Sequence, residues 1–416
     1  LKYNEEHDNI VMRRSEIERV SLGCIGVRRT TGQHPGGIVV LPLGENINTF
    51  TPVQHPANDM STPIITTHFD YHSIDHNLLK LDILGHDDPT MIRMLEDLTG
   101  VNAQGIRLDD EKVLSLFHGL TALEIEAKDL DGYDLGSLGV PEFGTDFVMQ
   151  MLRETKPKTF SDLVRISGLS HGTDVWTGNA QTLIAEGKCE LKTAICTRDD
   201  IMIYLIDMGL EPGHAFKIME SVRKGKGLTP EWEQEMTEHN VPDWYIWSCK
   251  KIKYMFPKAH AVAYVMMAMR IAWYKVHEPL NFYIQYLTLR CDTYEIETMA
   301  KGIDVIRARM NDISTRIAER NPEYPVSNKE KSLFDVLEVC EELYARGYNI
   351  SNVDLYKSLA VEFRVSPDNP KTIIPPFTVI DGLGINVAKS IEEAREKGEF
   401  LSKEDILKRT QVSSSM

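Results

Sequence analysis

Phe377-Thr378-Val379-Ile380-Asp381-Gly382-Leu383-Gly384-Ile385-Asn386-Val387-Ala388, running on into Ile391-Glu392-Glu393-Ala394-Arg395, carries the sharpest structural signal in the chain. Two glycines flank a single leucine. Beyond them Ile385, Ala388 and Ile391 recur at the three-residue spacing of a helix face. The pattern predicts a helix-hairpin-helix over residues 380–395. Gly382 and Gly384 permit a tight turn, and the amides that open the second helix can face a phosphate without reading base sequence. A Gly-x-Gly turn is also an ordinary loop device. The small Ala388 and the apolar helix behind it favour backbone binding of duplex DNA at Gly382 and Gly384. Leu401 to Lys408 reads as the start of a second hairpin.

Upstream of this stretch the chain is largely helical. Apolar residues at spacings of three and four recur from Glu142 to Leu289, as in Phe147-Met151-Leu152 and Ile201-Tyr204-Leu205-Met208. Prolines at Pro157, Pro212, Pro230 and Pro242 punctuate the helices. An amphipathic helix is expected over Tyr294–Arg320, a second over Lys329–Ala345, and extended chain over Val361–Val365. The first hundred residues differ: a helix over Glu5–Leu22, then strands at Ile38–Leu41, Thr66–Tyr71 and Leu78–Leu84, then a helix capped by Asp88 with Pro89 behind it. The expected fold is α/β followed by mostly α, divided into residues 1–100, 101–290 and 291–416.

Four further segments can carry chemistry. In Lys80-Leu81-Asp82-Ile83, alternation puts one carboxylate on an otherwise apolar, buried strand, where it must be paired or bind a cation. On spacing alone a salt bridge to a lysine or arginine accounts for Asp82, since one carboxylate does not make a metal site. The loop Arg28-Arg29-Thr30-Thr31-Gly32-Gln33-His34-Pro35-Gly36-Gly37 offers donors to a phosphate, with Arg28, Arg29, Thr30 and His34 as candidates; a purely geometric turn accounts for it equally well. Arg223-Lys224-Gly225-Lys226 ends a helix, where cations also suit the helix dipole. Lys250 to Tyr264 interleaves lysines with aromatics, a composition suited to phosphate contact and base stacking, and His260 and Tyr264 share a helix face. A surface lysine row over a core tyrosine is the plain alternative.

Formal net charge is −16, from 46 Lys and Arg against 62 Asp and Glu. That excludes a uniformly basic nucleic-acid coat, but local basic stripes decide where a phosphate backbone lies. The six cysteines are scattered without a C-x-x-C pair, so neither a disulfide framework nor a zinc knuckle is expected. No apolar run is long enough for a membrane helix, the first residues do not read as a signal peptide, and a cytoplasmic protein is expected.

Taken together, several stretches resemble the PolC-type alpha subunits of bacterial DNA polymerase III, the family C replicative polymerases. They are Arg29–Gly37, Thr67–Asp70 with Leu79–Thr90, Ile166–Trp176, Arg198–Met202, Lys217–Gly227, Phe256–Tyr264 and Ile380–Arg395, in the family's order. The resemblance implies a partial polymerase palm, helical fingers and a C-terminal duplex-binding domain. Asp82 would be the third of three palm aspartates that hold two Mg2+ ions, and Lys80 would point towards the incoming dNTP. Arg198, Arg223, Lys224, Lys226, Lys258 and His260 would meet nucleotide or template. Primer-template DNA, a sliding clamp and other replisome subunits would be the partners, with no membrane.

The chain also departs from the family. No Asp-x-Asp pair stands upstream of Asp82, and no clamp-binding peptide follows the last helix. The implied activity is therefore template-directed DNA synthesis as part of a larger protein, with this chain alone inactive. A non-catalytic DNA-binding module is the alternative; a lone carboxylate on a buried strand speaks against it. A metal hydrolase on His34, His72, His86 and Asp87 lacks ligand spacing.

Overall fold

The computed structural model describes residues 13–27, 29–320 and 324–414. The chain separates into two compact units, Leu1–His86 and Asp87–Met416.

The first unit contains α1 (Arg14–Gly23), β1 (Gly37–Val40), β2 (Val53–Gln54), β3 (Thr66–Thr67) and β4 (Leu79–Asp82). β1 pairs antiparallel with β4, Gly37 opposite Asp82 and Val39 opposite Lys80. β2 and β3 form a second antiparallel ribbon. Residues opposite one another share a face, so Ile38, Val40, Leu79 and Leu81 lie together on one side of the β1–β4 ribbon. All four are exposed. The expected buried strand is thus corrected: among the described residues no layer covers this face, and Asp82 itself is half exposed. The strand expected over Thr66–Tyr71 stops at Thr67, because the Asp70 carboxylate accepts the His72 amide and turns the chain. The described part of the Glu5–Leu22 helix is α1; the rest lies outside the described residues.

The second unit is mostly helical. Its helices are α2 (Asp88–Thr99), α3 (Glu111–Ser115), α4 (Asp146–Thr155), α5 (Phe160–His171), α6 (Gln181–Ala185), α7 (Arg198–Asp207), α8 (Pro212–Arg223), α9 (Pro230–Glu238), α10 (Asp243–Lys251), α11 (Lys258–His277) and α12 (Pro279–Leu289). α13 (Ile296–Met299), α14 (Ile303–Glu319) and α15 (Asn328–Ala345) follow. The chain ends with β5 (Asn349–Ile350), β6 (Arg364–Val365), β7 (Thr372–Ile374), α16 (Ile385–Glu396) and α17 (Lys403–Arg409). β7 pairs parallel with β5 and antiparallel with β6.

Three expected boundaries move. Asp88 is the first helical residue rather than the cap; Asp87 takes the cap position and pairs with Arg290 at 2.8 Å. The helix expected over Tyr294–Arg320 breaks at Gly302, whose φ of +98° only glycine adopts cheaply. Of the extended stretch Val361–Val365, only Arg364–Val365 joins a sheet.

α11 is the spine of this unit, packing against α2, α3, α5 and α12. Its inner face buries Ala261, Val265, Ala268, Met269, Ile271, Ala272 and Tyr274. Lys275 is buried there too. Its ammonium donates to the Gly136 and Leu138 carbonyls at 2.8 and 2.6 Å and to Glu342 at 2.9 Å, which also accepts the Tyr283 hydroxyl. This buried pair joins α11, α12, α15 and the 136–138 loop. No helix among the described residues is long and apolar enough to cross a membrane.

Candidate nucleic-acid interface and carboxylate site

In the first unit, the β1–β4 register brings three sequence candidates together. Asp82 Oδ1 lies 3.3 Å from Lys80 Nζ and 3.8 Å from His34 Nδ1. Alternation puts Lys80 and Asp82 on the face opposite the exposed apolar one. Lys80 also sits over the Tyr71 ring, 5.1 Å from its centre. Of the loop's three glycines, Gly36 and Gly37 are required by close approach, whereas Gly32 faces open space. A Cβ on Gly37 would come within 2.8 Å of His34 Nδ1, and one on Gly36 within 2.6 Å of the Ile83 carbonyl. Gly36 N–H in turn donates to His34 Nδ1 at 3.2 Å. Thr31 fastens the loop by accepting the Ala57 amide.

Thr31, His34, Gly36, Gly37 and Lys80, with the β2–β3 ribbon, line a groove of about 930 Å³. Arg29 and Thr30 are exposed beside Thr31; Arg28 lies outside the described residues. Among the described residues no three His, Cys, Asp or Glu side chains converge as a metal centre would need. Asp82 is one carboxylate already facing a cation, so the residues present do not by themselves fit a two-ion centre.

In the second unit the two basic segments meet. The Met255 amide donates to the Arg223 carbonyl, and Gly225, at φ +70°, packs so tightly on Lys253 that a Cβ would lie 2.5 Å from its carbonyl. Exposed Lys224, Lys226 and Lys253 are thereby gathered in one region with half-exposed Tyr254. Arg223 is less available. It forks onto Glu220, which also holds Lys224 at 3.0 Å, and these cations draw the Glu220 carboxyl down to about 2.

A column of rings continues from there. Tyr254 meets Phe256 edge-on at 5.3 Å between centres, Phe256 lies 5.0 Å from His260, and His260 4.3 Å from Tyr264. The i, i+4 spacing on α11 accounts for the last contact. The column's base is clamped. Thr173 bridges Tyr254, the Arg198 amide donates to the Phe256 carbonyl, and Asp199 accepts the Lys258 amide at 2.6 Å. Lys258 Nζ is itself paired with Asp200. Arg198 is thus a neighbour in space of Lys258 and His260 although far from them in sequence.

At the C-terminus, Gly382 turns the chain at φ +81° and Leu383 is buried against Phe377, Ala388 and Ile391. Gly384 caps α16, leaving Gly384, Ile385 and Asn386 exposed at its start. The helix before the turn is only one 3-10 turn, Phe377–Val379. Arg395 and Arg409 point inward onto backbone carbonyls.

The sequence reading missed His171 and Glu142. His171 Nε2 lies 2.8 Å from Glu142, and its ring meets Phe256 at 5.6 Å. Nothing in the spacing links them, because Glu142 lies in the loop before α4 while His171 ends α5.

Family profiles match three parts of the chain: the bacterial DNA polymerase III alpha NTPase domain at residues 1–85, the alpha subunit finger domain at 88–241, and a helix-hairpin-helix motif at 347–416. The DNA polymerase III PolC-type of Bacillus subtilis (strain 168) is 57% identical over 409 residues, 98% of this chain. Those of Bacillus cereus and Clostridium perfringens are 56% and 55% identical over essentially the whole chain. In each case the chain spans 28% of the relative's length. A chain that keeps more than half its residues in common with these proteins from end to end belongs to the PolC-type DNA polymerase III family, of which it represents a segment.

Proposed function

We propose that this chain supplies part of the nucleotide-handling and DNA-holding machinery for template-directed DNA synthesis, in bacterial chromosome replication. The observation that carries the reading is the 57% identity sustained over 409 residues with a PolC-type polymerase. In this reading residues 1–100 belong to the palm, 101–290 to the fingers and 291–416 to the duplex-binding region. Asp82 would hold catalytic magnesium only together with aspartates that the family carries upstream, and Lys80 and His34 would address the triphosphate in the groove. Magnesium would supply the Lewis acidity for attack by the primer 3′-hydroxyl. This chain's own residues would bind and orient: Lys224, Lys226 and Lys253 against phosphates, the Tyr254–Tyr264 column against bases, and the amides after Gly382 and Gly384 against the duplex backbone. The sliding clamp and other replisome subunits are the partners of the longer protein.

With one carboxylate at Asp82, the chain by itself does not extend a primer. The test is a chimaera in which this chain replaces the corresponding 409 residues of the Bacillus subtilis relative. Primer extension with Mg2+ should be lost in Asp82→Asn while primed-template binding persists. Extension that survives the substitution would make Asp82 a structural partner of Lys80. The helix-hairpin-helix match alone favours a second reading, a DNA-binding module without catalysis. Retained extension in Asp82→Asn together with tight duplex binding by the isolated chain would select it.

A further inference from the structure

Both nitrogens of His171 face acceptors. Nδ1 lies 2.8 Å from the Ser167 carbonyl and 2.9 Å from the Ser170 hydroxyl, and Nε2 lies 2.8 Å from Glu142 Oε2. A carbonyl cannot donate, and a carboxylate accepts, so a proton on each nitrogen suits both contacts; a neutral ring protonated on Nε2 would turn Nδ1 to the Ser170 hydroxyl and leave the Ser167 carbonyl without its donor. Burial is consistent with a built contact: the side chains are 33% and 12% exposed. Glu142 reaches this position from a left-handed backbone, φ +70°, that a non-glycine residue adopts at a cost. Strain held at a partly exposed ion pair marks a place where geometry matters more than local ease.

The ring thus fixed touches one thing of functional interest. Its edge packs on Phe256, the ring on which Tyr254 and His260 also rest. Immediately beyond it, Gly172 and Thr173 grip the same segment. Thr173 bridges Tyr254, and a Cβ on Gly172 would lie 2.8 Å from the Tyr254 carbonyl. We infer that His171, clamped by Glu142, is a positioning residue that holds Phe256 and with it the Tyr254–Phe256–His260–Tyr264 column in the geometry that stacks on bases. The base-stacking half of this inference rests on the function proposed above; the positioning half does not.

Protonation links the device to pH. Glu142, followed by the Ser167 carbonyl, raises the imidazole above its ordinary 6.5 against the opposing effect of burial. Charged or titratable groups on the surrounding elements include Asp162 and Arg165 on α5, Lys253, Tyr254, Lys258, His260 and Tyr264 on α11 and the segment entering it, Arg198, Asp199 and Asp200 on α7, and Asp174 in the adjoining loop. Lys258 is neutralised by Asp200. With the folded value raised, the clamp is complete at and below pH 6.5 and is lost as pH rises through the higher folded value.

The experiment is an NMR titration of the intact chain from about pH 6 to about pH 9, following the His171 imidazole and the Phe256 and Tyr254 ring protons. The rings should shift with His171, at a midpoint above 6.5. In Glu142→Gln, checked for native circular dichroism, that midpoint should fall and the rings should lose their pH response. A wild-type His171 that titrates at or below 6.5, or rings that ignore its titration, overturns the inference. The wild-type titration decides even if the variant does not fold. In parallel, oligothymidylate binding is followed by fluorescence anisotropy. Glu142→Gln and Tyr254→Leu should each weaken it roughly tenfold, the order of one lost base–aromatic contact, and only the former should alter the His171 titration. If oligothymidylate does not bind at all, the nucleic-acid reading of the column falls, while coupled titration still supports the positioning role.

Discussion

Lys258 Nζ lies 3.1 Å from Asp200 Oδ1, and the second oxygen of that aspartate accepts the Thr197 and Cys196 amides at 2.8 and 3.2 Å. One carboxylate therefore caps α7 and steadies the start of α11. A lysine that is to meet a nucleotide phosphate from here must exchange Asp200 for it.

Asp200→Asn should weaken both the cap and the pair, costing about 1–2 kcal/mol. Lys258→Met should cost less than about 1 kcal/mol, because its side chain is 41% exposed and solvent screens the pair. Urea unfolding of both variants checks the order. If the lysine variant is the weaker protein, the cap argument is wrong.

Lys275→Met should be among the most damaging single changes in the second unit. It leaves Glu342 fully buried without its cation and strands the Gly136 and Leu138 carbonyls. The expected loss is about 3–5 kcal/mol. Lys275→Met combined with Glu342→Leu should recover part of it, since no buried charge then remains; a double variant no better than the single would count against the pairing.

Glu338 is almost buried, with the Tyr133 hydroxyl as its hydrogen-bond partner and Glu341 nearby. Glu341 has Arg307 at 2.6 Å, whereas no ion pair to Glu338 occurs among the described residues. Burial first, then repulsion from Glu341, pushes the Glu338 carboxyl from 4.5 up to about 8. The folded chain thus holds this proton more tightly than the unfolded one, so stability should fall as pH rises from about 4.5 through about 8. Glu338→Gln should remove about 2 kcal/mol of that decline. Melting temperatures at about pH 6 and about pH 8.5 test it, and equal declines in both proteins would exclude the effect.

Gly382→Ala should cost about 1 kcal/mol by forcing a side chain into φ +81°, and should weaken duplex binding by tilting the start of α16. Gly384→Ala is the control: its φ is −73° and open space surrounds its Cβ position, so stability should barely change. A loss of duplex binding in the second variant without a loss of stability would locate the phosphate at that cap.

The helical middle, the glycine hairpin and the existence of strands β1 and β4, though not their pairing, were legible in the sequence, because periodicity, proline and glycine act over a few residues. Lys80 and Asp82 could be assigned to one face of β4 for the same reason, since alternation is a local rule. What the sequence could not reveal was exposure. Leu79 and Leu81 look like core residues, yet their burial depends on a covering layer, and none of the described residues provides it. Nor could it show which distant cations are spent internally: Lys258 on Asp200 and Lys275 on Glu342 each needed a fold to bring the carboxylate within reach, whereas Arg223 and Glu220 meet by the i, i+3 spacing of one helix. The clamp of Glu142 on His171 is likewise beyond local rules. It joins residues 29 positions apart, 171 − 142, through a loop and a helix end, and only tertiary packing closes such a gap.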